Sequence, residues 1–284
     1  MKEMGYQISS RATILLGREG VSRSDGALIE LIKNAYDADA NFCFIYFDRA
    51  HDRILIVDDG TGMTQKIIAS AWMTIGTDNK KEEYVSRKKR IKSGEKGIGR
   101  FALDRLGRLC RMYTKHADER LIHWEMDWGL FEKSGQTLSE VKARFEHLDG
   151  DFVSVCNKYI RDFPKEICKV LRGRTVTLKT GTLLEISQLR DDWSAGNIDH
   201  VCEGLESLLP PQEQGVYDIL LKRNEKSAIV RIEGSIQDEY DYRLLSEFDG
   251  NRFNIKLYRN ELNVDGIPQM FFKREFFSRA PCRL

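Results

Sequence analysis

Ile54-Leu55-Ile56-Val57-Asp58-Asp59-Gly60-Thr61-Gly62-Met63 is the stretch from which the rest of the chain is read. Four apolar residues, two of them isoleucine and one valine, predict a buried strand, and the acidic and glycine residues after them end it in a loop. A carboxylate at the end of a buried strand, here Asp58, can accept a hydrogen bond from an exocyclic amine such as N6 of adenine. Gly60 and Gly62 would let a flat ring lie against the backbone, with Met63 beside it. The same residues suit an ordinary strand-ending turn, so the stretch alone leaves both readings open.

Upstream, the spacing predicts a helix from about Ser24 to Ala40, with Leu28, Leu31, Ile32 and Ala35 on one side. Two strands follow, Phe42–Phe47 and Arg53–Val57, joined by a turn at Ala50-His51-Asp52. On the helix, Glu30, Asn34 and Asp37 are spaced i, i+4, i+7 and share the face opposite the apolar stripe. The amide oxygen of Asn34 is a hard ligand suited to Mg²⁺. Glu30, one turn away, could orient or deprotonate a water beside it. A solvated helix face is the competing reading of the same stripe.

Downstream, Gln65–Met73 reads as a helix. Thr77–Glu95 is crowded with Lys80, Lys81, Arg87, Lys88, Lys89, Arg90 and Lys92 and has the composition of a mobile loop. Gly94-Glu95-Lys96-Gly97-Ile98-Gly99-Arg100-Phe101 comes next, before a short helix Phe101–Leu106. Glycines there let backbone N–H groups converge on phosphate oxygens, and Lys96 is a cation placed to meet a γ-phosphate or to stay solvated. The stretch lacks the Lys-Ser/Thr ending of a P-loop, and no strand precedes it as a dinucleotide-binding turn requires. Further strands are expected at Leu109–Thr114, Leu121–Asp127, Arg174–Lys179 and Leu183–Ser187, and helices near Leu138–Phe145, Pro164–Leu171 and Asp199–Leu209. Gly181-Thr182 opens one of those strands, and the Thr182 hydroxyl could join a water network to Asp58.

Taken in order, E-x-x-x-N-x-x-D on a helix, D-x-G-x-G-M after a strand, a basic loop, G-x-x-G-x-G-x-F before a helix and G-T before a strand resemble the GHKL ATPases: gyrase B, the ninety-kilodalton heat-shock chaperone, histidine kinases and MutL. Glu30-Leu31-Ile32-Lys33-Asn34-Ala35, Ile75-Gly76-Thr77 and the run to Thr64 are most similar to the chaperone-like and microrchidia-like branch. The resemblance covers about residues 20 to 190. It implies an α/β two-layer sandwich, with a mixed sheet and ATP held among helices on one face. It also implies that Glu30 activates water, Asn34 binds Mg²⁺, and Asp58, helped by Thr182, reads adenine. Asp37, Met63 and the backbone of Gly94, Gly97, Ile98, Gly99, Arg100 and Phe101 would line the nucleotide, and Thr77–Lys92 would be its lid. The activity implied is Mg-dependent ATP hydrolysis driving a conformational or homodimerisation switch. A histidine kinase that shares the pocket, or a nucleotide-sensing module without turnover, are the alternatives; for the kinase, none of the five histidines sits in a convincing phosphoacceptor helix ahead of the pocket.

Pro210-Pro211 after the Asp199–Leu209 helix marks a domain boundary, giving an ATP-binding domain over 1–198 with a lid at about 77–95 and a β-rich, incomplete second domain over 199–284. Tyr217–Lys222, Ala228–Glu233 and Arg252–Tyr258 read as strands, and Leu244–Phe248 fits either type. With 284 residues, 41% hydrophobic and 31% charged, the chain is globular rather than disordered. A formal net charge of +1 removes a global basic excess for nucleic acid and leaves only the basic lid as a local contact. The six cysteines form no C-x-x-C pair, which argues against zinc and for buried thiols in a reducing compartment. The absence of a long apolar run and of an apolar stretch in Met1-Lys2-Glu3-Met4-Gly5 leads to the expectation of a cytoplasmic protein that does not enter a membrane.

Overall fold

Phe42-Cys43-Phe44-Ile45-Tyr46-Phe47 is apolar at every position, and a strand of that kind needs cover on both faces. The computed structural model supplies it. It describes residues 8–20, 23–74, 85–90, 92, 102–171, 174, 176–208, 216–233, 242–248, 252–259 and 271–277. After a short helical turn α1 (Ala12–Ile14), the long helix α2 (Ser24–Asp37) leads into the hairpin β1 (Phe42–Asp48) and β2 (Arg53–Asp58). The hairpin turns through Asp52, which takes the left-handed conformation. A turn of helix α3 (Gln65–Ile67) follows, capped by the Thr64 side chain and continued by a wider turn over Ile68–Trp72. Then come α4 (Ala102–Leu106), β3 (Gly107–Lys115), β4 (Leu121–Asp127) and β5 (Arg144–Leu148). The helices α5 (Phe152–Tyr159) and α6 (Phe163–Val170) precede β6 (Gly181–Leu189), α7 (Ala195–Leu208), β7 (Asp218–Lys222) and β8 (Val230–Ile232).

The eight strands form one mixed sheet in the order β5-β4-β3-β6-β2-β1-β7-β8. Neighbours are antiparallel except β1 and β7, which run parallel with Phe42 opposite Asp218. On one face, Cys43, Ile45, Phe47, Ile54 and Ile56 pack with Leu28, Leu31 and Ile32 of α2, Leu103 and Leu106 of α4, and Val201 and Leu205 of α7. On the other, Phe42, Phe44, Leu55 and Val57 pack with Phe152 and Val155 of α5 and Phe163 and Ile167 of α6. The fold is thus the expected α/β mixed sheet, but helices cover both of its faces and not one. The second helical layer was not foreseen, and it is what the two-sided apolar run of β1 requires.

Several local expectations are corrected. α2 stops at Asp37 rather than Ala40, because Asp39 is left-handed (φ 61°). Leu138–Phe145 is one tight turn, Leu138–Glu140, followed by β5; Glu140's carboxylate accepts the Thr137 N–H at 2.7 Å and holds the turn. The described residues of 174–179 make no strand: Leu178 is left-handed (φ 44°) and buried against α5 and α6. The helix α5, missed in the sequence, starts at Asp151, whose carboxylate accepts the Ser154 N–H.

The boundary between compact units also lies later than expected. One unit is Met1–Gly234 and the other Ser235–Leu284. Pro210-Pro211 does follow a helix, but β7 beyond it returns to the first sheet to satisfy the open edge of β1. The second unit holds a three-stranded antiparallel sheet of β9 (Tyr242–Phe248), β10 (Arg252–Arg259) and β11 (Phe271–Phe277), with β10 central.

Candidate functional site

The site is built where α2 ends and β2 ends. Burying Leu28, Leu31, Ile32 and Ala35 on the sheet turns Glu30, Asn34 and Asp37 toward the less buried side of α2, where all three are half-buried or more exposed. Glu30 is paired with Lys33 (3.1 Å) and keeps 42% of its side-chain surface open. The helix is closed by the Ala38 N–H on the Asn34 carbonyl (3.0 Å). Ala38's own carbonyl then accepts the Thr61 N–H (2.9 Å), which fastens the Asp58–Gly62 loop to the end of the helix bearing Glu30 and Asn34.

Asp58, the last residue of β2, is 8% exposed. Its Oδ1 accepts the Gly60 N–H at 2.9 Å, and it sits opposite Thr182 of β6, whose backbone N–H also favours the ionised form. Burial dominates nevertheless: it lifts the carboxyl from the usual range to about 7, with the adjacent Asp59 charge adding to the rise. A carboxyl buried and perturbed in this way is the kind of group that gathers at functional sites.

The fold itself makes a demand on the two glycines. A Cβ on Gly60 would stand 2.7 Å from the Ala38 carbonyl oxygen and 2.9 Å from Asp58 Oδ1. Gly62 is left-handed (φ 66°), and a Cβ there would overlap the carbonyl of Lys115. Both are demanded by close passage of backbone against backbone. Met63 continues the loop, its N–H donating to Thr114 Oγ1 (2.9 Å) and its side chain lying against the core. The hydroxyls of Thr114 and Thr182 are 3.1 Å apart, so Thr182 enters this knot through Thr114 as well as through its backbone.

Thr114 and Asp59 were missed in the sequence. Thr114 is fully buried at the end of β3, and a lone Thr closing a strand carries no signal. Asp59 accepts the N–H groups of Asn41 (2.7 Å) and Phe42 (3.1 Å) and the Asn41 amide (2.7 Å), fixing the start of β1 beside the loop. Here the doubled Asp58-Asp59 was a legible hint, since each carboxylate faces a different set of donors. Beneath the site, the buried Cys43 is opposite Asp58 in the β1–β2 register and touches the Tyr217 hydroxyl. Burial raises both groups well above their ordinary range.

Gly94, Lys96, Gly97, Ile98, Gly99, Arg100 and Phe101 lie outside the described residues, as do the Ile75-Gly76-Thr77 run and 77–84, 91 and 93–95 of the expected lid. The part of the basic run that is described, Val85–Arg90, is anchored: Arg90 is 5% exposed and the Ser86 hydroxyl donates to Asp39 (2.5 Å). Ser86, Lys88 and Arg90 are thus tied to the end of α2, while Arg87 and Lys89 are exposed as a solvated loop requires.

Residues 21–156 match the family model described as histidine kinase-, DNA gyrase B-, and HSP90-like ATPase. Over those residues the chain is similar to that family. The match takes in α2, the Asp58 loop and the strands β1–β5, and it supports ATP binding. Domains of the GHKL type bind ATP, usually with Mg²⁺. No curated protein matches the chain. Among the described residues, no helix is long and apolar enough to cross a membrane, and no group of three or more His, Cys, Asp or Glu side chains could hold a metal by itself. A Mg²⁺ reached through the Asn34 amide oxygen would be completed by phosphate oxygens and water, which is how that ion is commonly held.

Proposed function

We propose that the domain binds and hydrolyses ATP, with adenine on Asp58 and the phosphates toward Glu30 and Asn34. The observation that carries this reading is the buried Asp58 carboxyl, held at the same helix end as the E-x-x-x-N stripe by the Thr61–Ala38 bond. In its ionised form Asp58 accepts the N6 proton, and the Thr114–Thr182 hydroxyl pair supports the ring edge. Asn34 holds Mg²⁺, which neutralises triphosphate charge when bound. Glu30, open to solvent beside Lys33, positions the attacking water and takes its proton. The glycine run Gly94–Gly99 supplies backbone N–H groups to the phosphates, and Arg100 and Phe101 follow it into α4. Nucleotide state would then set a dimerisation or conformational switch in a chaperone-like or DNA-linked assembly within the cytoplasm.

Calorimetry with a non-hydrolysable ATP analogue and Mg²⁺ tests the reading. Saturable binding by the wild type that is lost in Asp58→Asn is expected, because the amide presents a donor where the purine amine needs an acceptor. Equal binding by the two proteins would remove adenine from Asp58.

A further inference from the structure

We infer that Arg90, which composition assigns to a solvated basic loop, is a positioning residue for the purine end of the pocket. The inference rests on the nucleotide reading above but not on any group that touches the nucleotide. Arg90 is a permanent cation only 5% exposed, and burying such a charge costs several kcal/mol unless it is well partnered. Its partners among the described residues are carbonyl oxygens and ring faces. One terminal nitrogen donates to the carbonyls of Ala40 (2.6 Å) and Tyr36 (3.2 Å), and the other to Val216 (3.1 Å). The guanidinium lies over the rings of Tyr36 (4.7 Å) and Tyr217 (5.6 Å). Tyr36 and Ala40 bracket the C-terminal end of α2, where the last carbonyls carry the negative end of the helix dipole. Among the described residues the cation is therefore partnered by carbonyls, two of them at the end of α2.

A second set of contacts locks the same corner. Ser86 Oγ accepts the Arg90 N–H (3.0 Å) while donating to Asp39, the left-handed residue that ends α2. Lys88 Nζ donates to the Asp39 carbonyl (2.8 Å) and to Asn41 Oδ1 (2.7 Å). Between Tyr36 and Ala40 sits Ala38, whose carbonyl receives Thr61 and whose place leaves no room for a side chain on Gly60. Below, Tyr217 donates to the Ile32 carbonyl (2.9 Å) and touches Cys43, the β1 partner of Asp58. Arg90 thus reaches the Asp58 loop from two sides, through the end of α2 and through Tyr217. Lysine would keep the charge but lose the fork that serves three carbonyls at once.

Hydrogen exchange and calorimetry on Arg90→Lys and Arg90→Ala in the full chain test this. Both variants should keep the wild-type far-UV circular dichroism and bind the ATP analogue about tenfold more weakly, the order expected for losing charge-assisted bonds that position the site. Exchange should quicken in peptides covering 34–41 and 58–63 and stay unchanged in the core strands at 42–47 and 183–187. Should the alanine variant fail to fold, the lysine variant carries the test alone. Affinity within twofold of wild type, or exchange raised evenly across the sheet, would overturn the inference and leave Arg90 as general core cement. If the wild type binds no analogue, the nucleotide reading fails by itself, and the exchange pattern still decides whether Arg90 fixes this corner.

Discussion

At Asp58, two demands on one carboxyl pull in opposite directions. Folding prefers it protonated, since burial lifts it from the ordinary carboxylate range to about 7, whereas an adenine amine needs it ionised. The folded state holds the proton that the unfolded state releases, so Asp58 makes stability fall as pH rises from about 4 to about 7, and above that its contribution is constant. Asp58→Asn should raise the melting temperature at pH 8 and change it little at pH 4, as thermal denaturation at the two pH values would report. Wild-type affinity for the ATP analogue should move the other way, weakening by up to about tenfold per pH unit below 7. A flat affinity between pH 5 and 8 would separate Asp58 from the bound base. Glu30 is a different kind of residue, with 42% of its side-chain surface open and an ion pair to Lys33. Glu30→Ala should leave analogue binding intact and slow phosphate release by about a hundredfold or more; equal turnover would take the water-activating role away from it. The basic run splits in the same way. Arg87 and Lys89 are exposed, while Arg90 is interior, so any nucleic-acid contact would be sought by neutralising the first two and watching the salt dependence of binding.

At the scale of elements, the loop after β2 is fixed by two backbone crossings. Gly62→Ala combines a left-handed conformation with overlap on the Lys115 carbonyl. It should cost about 3 kcal/mol or more, read as a shift in the urea midpoint. A shift below 1 kcal/mol would mean that β3 moves aside cheaply. Elements with strong local patterns were readable: the α2 stripe, β1, β2 and β4 lie close to their expected spans. Gln65–Met73 also kept its helical character, with Thr64 as its cap. What failed was decided by distant contacts. Leu178 looked like a strand residue because it is apolar and flanked by Val176 and Lys179, yet tertiary burial holds it left-handed. Arg90 was unreadable for a plainer reason: in composition it matches its solvated neighbours, and it is the carbonyls of Tyr36, Ala40 and Val216, far off in sequence, that make it an interior residue.

On the scale of the whole molecule, the first unit needs residues well past the proline pair. A fragment of residues 1–234 should fold with wild-type cooperativity, whereas 1–198 lacks β7 and β8 and leaves the β1 edge and Phe44 exposed. The shorter fragment should be aggregation-prone in size-exclusion chromatography; a soluble, monomeric 1–198 fragment that melts like 1–234 would show that the added strands are ornamental. The site itself was half legible for a related reason. Glu30, Asn34 and Asp58 could be named because their motif order is rare, but Thr114 and Tyr217 lie far along the chain, with nothing local to announce them.

The parallel union of β1 with β7 also sets a timetable. Phe42 leaves the ribosome long before Asp218 does, so the nascent sheet carries a raw edge through most of translation, in a chain whose partner strand has yet to be made. Pausing or truncation before residue 222 would release an intermediate with that edge bare, and holdase chaperones should be found on stalled chains of that length and absent from slightly longer ones.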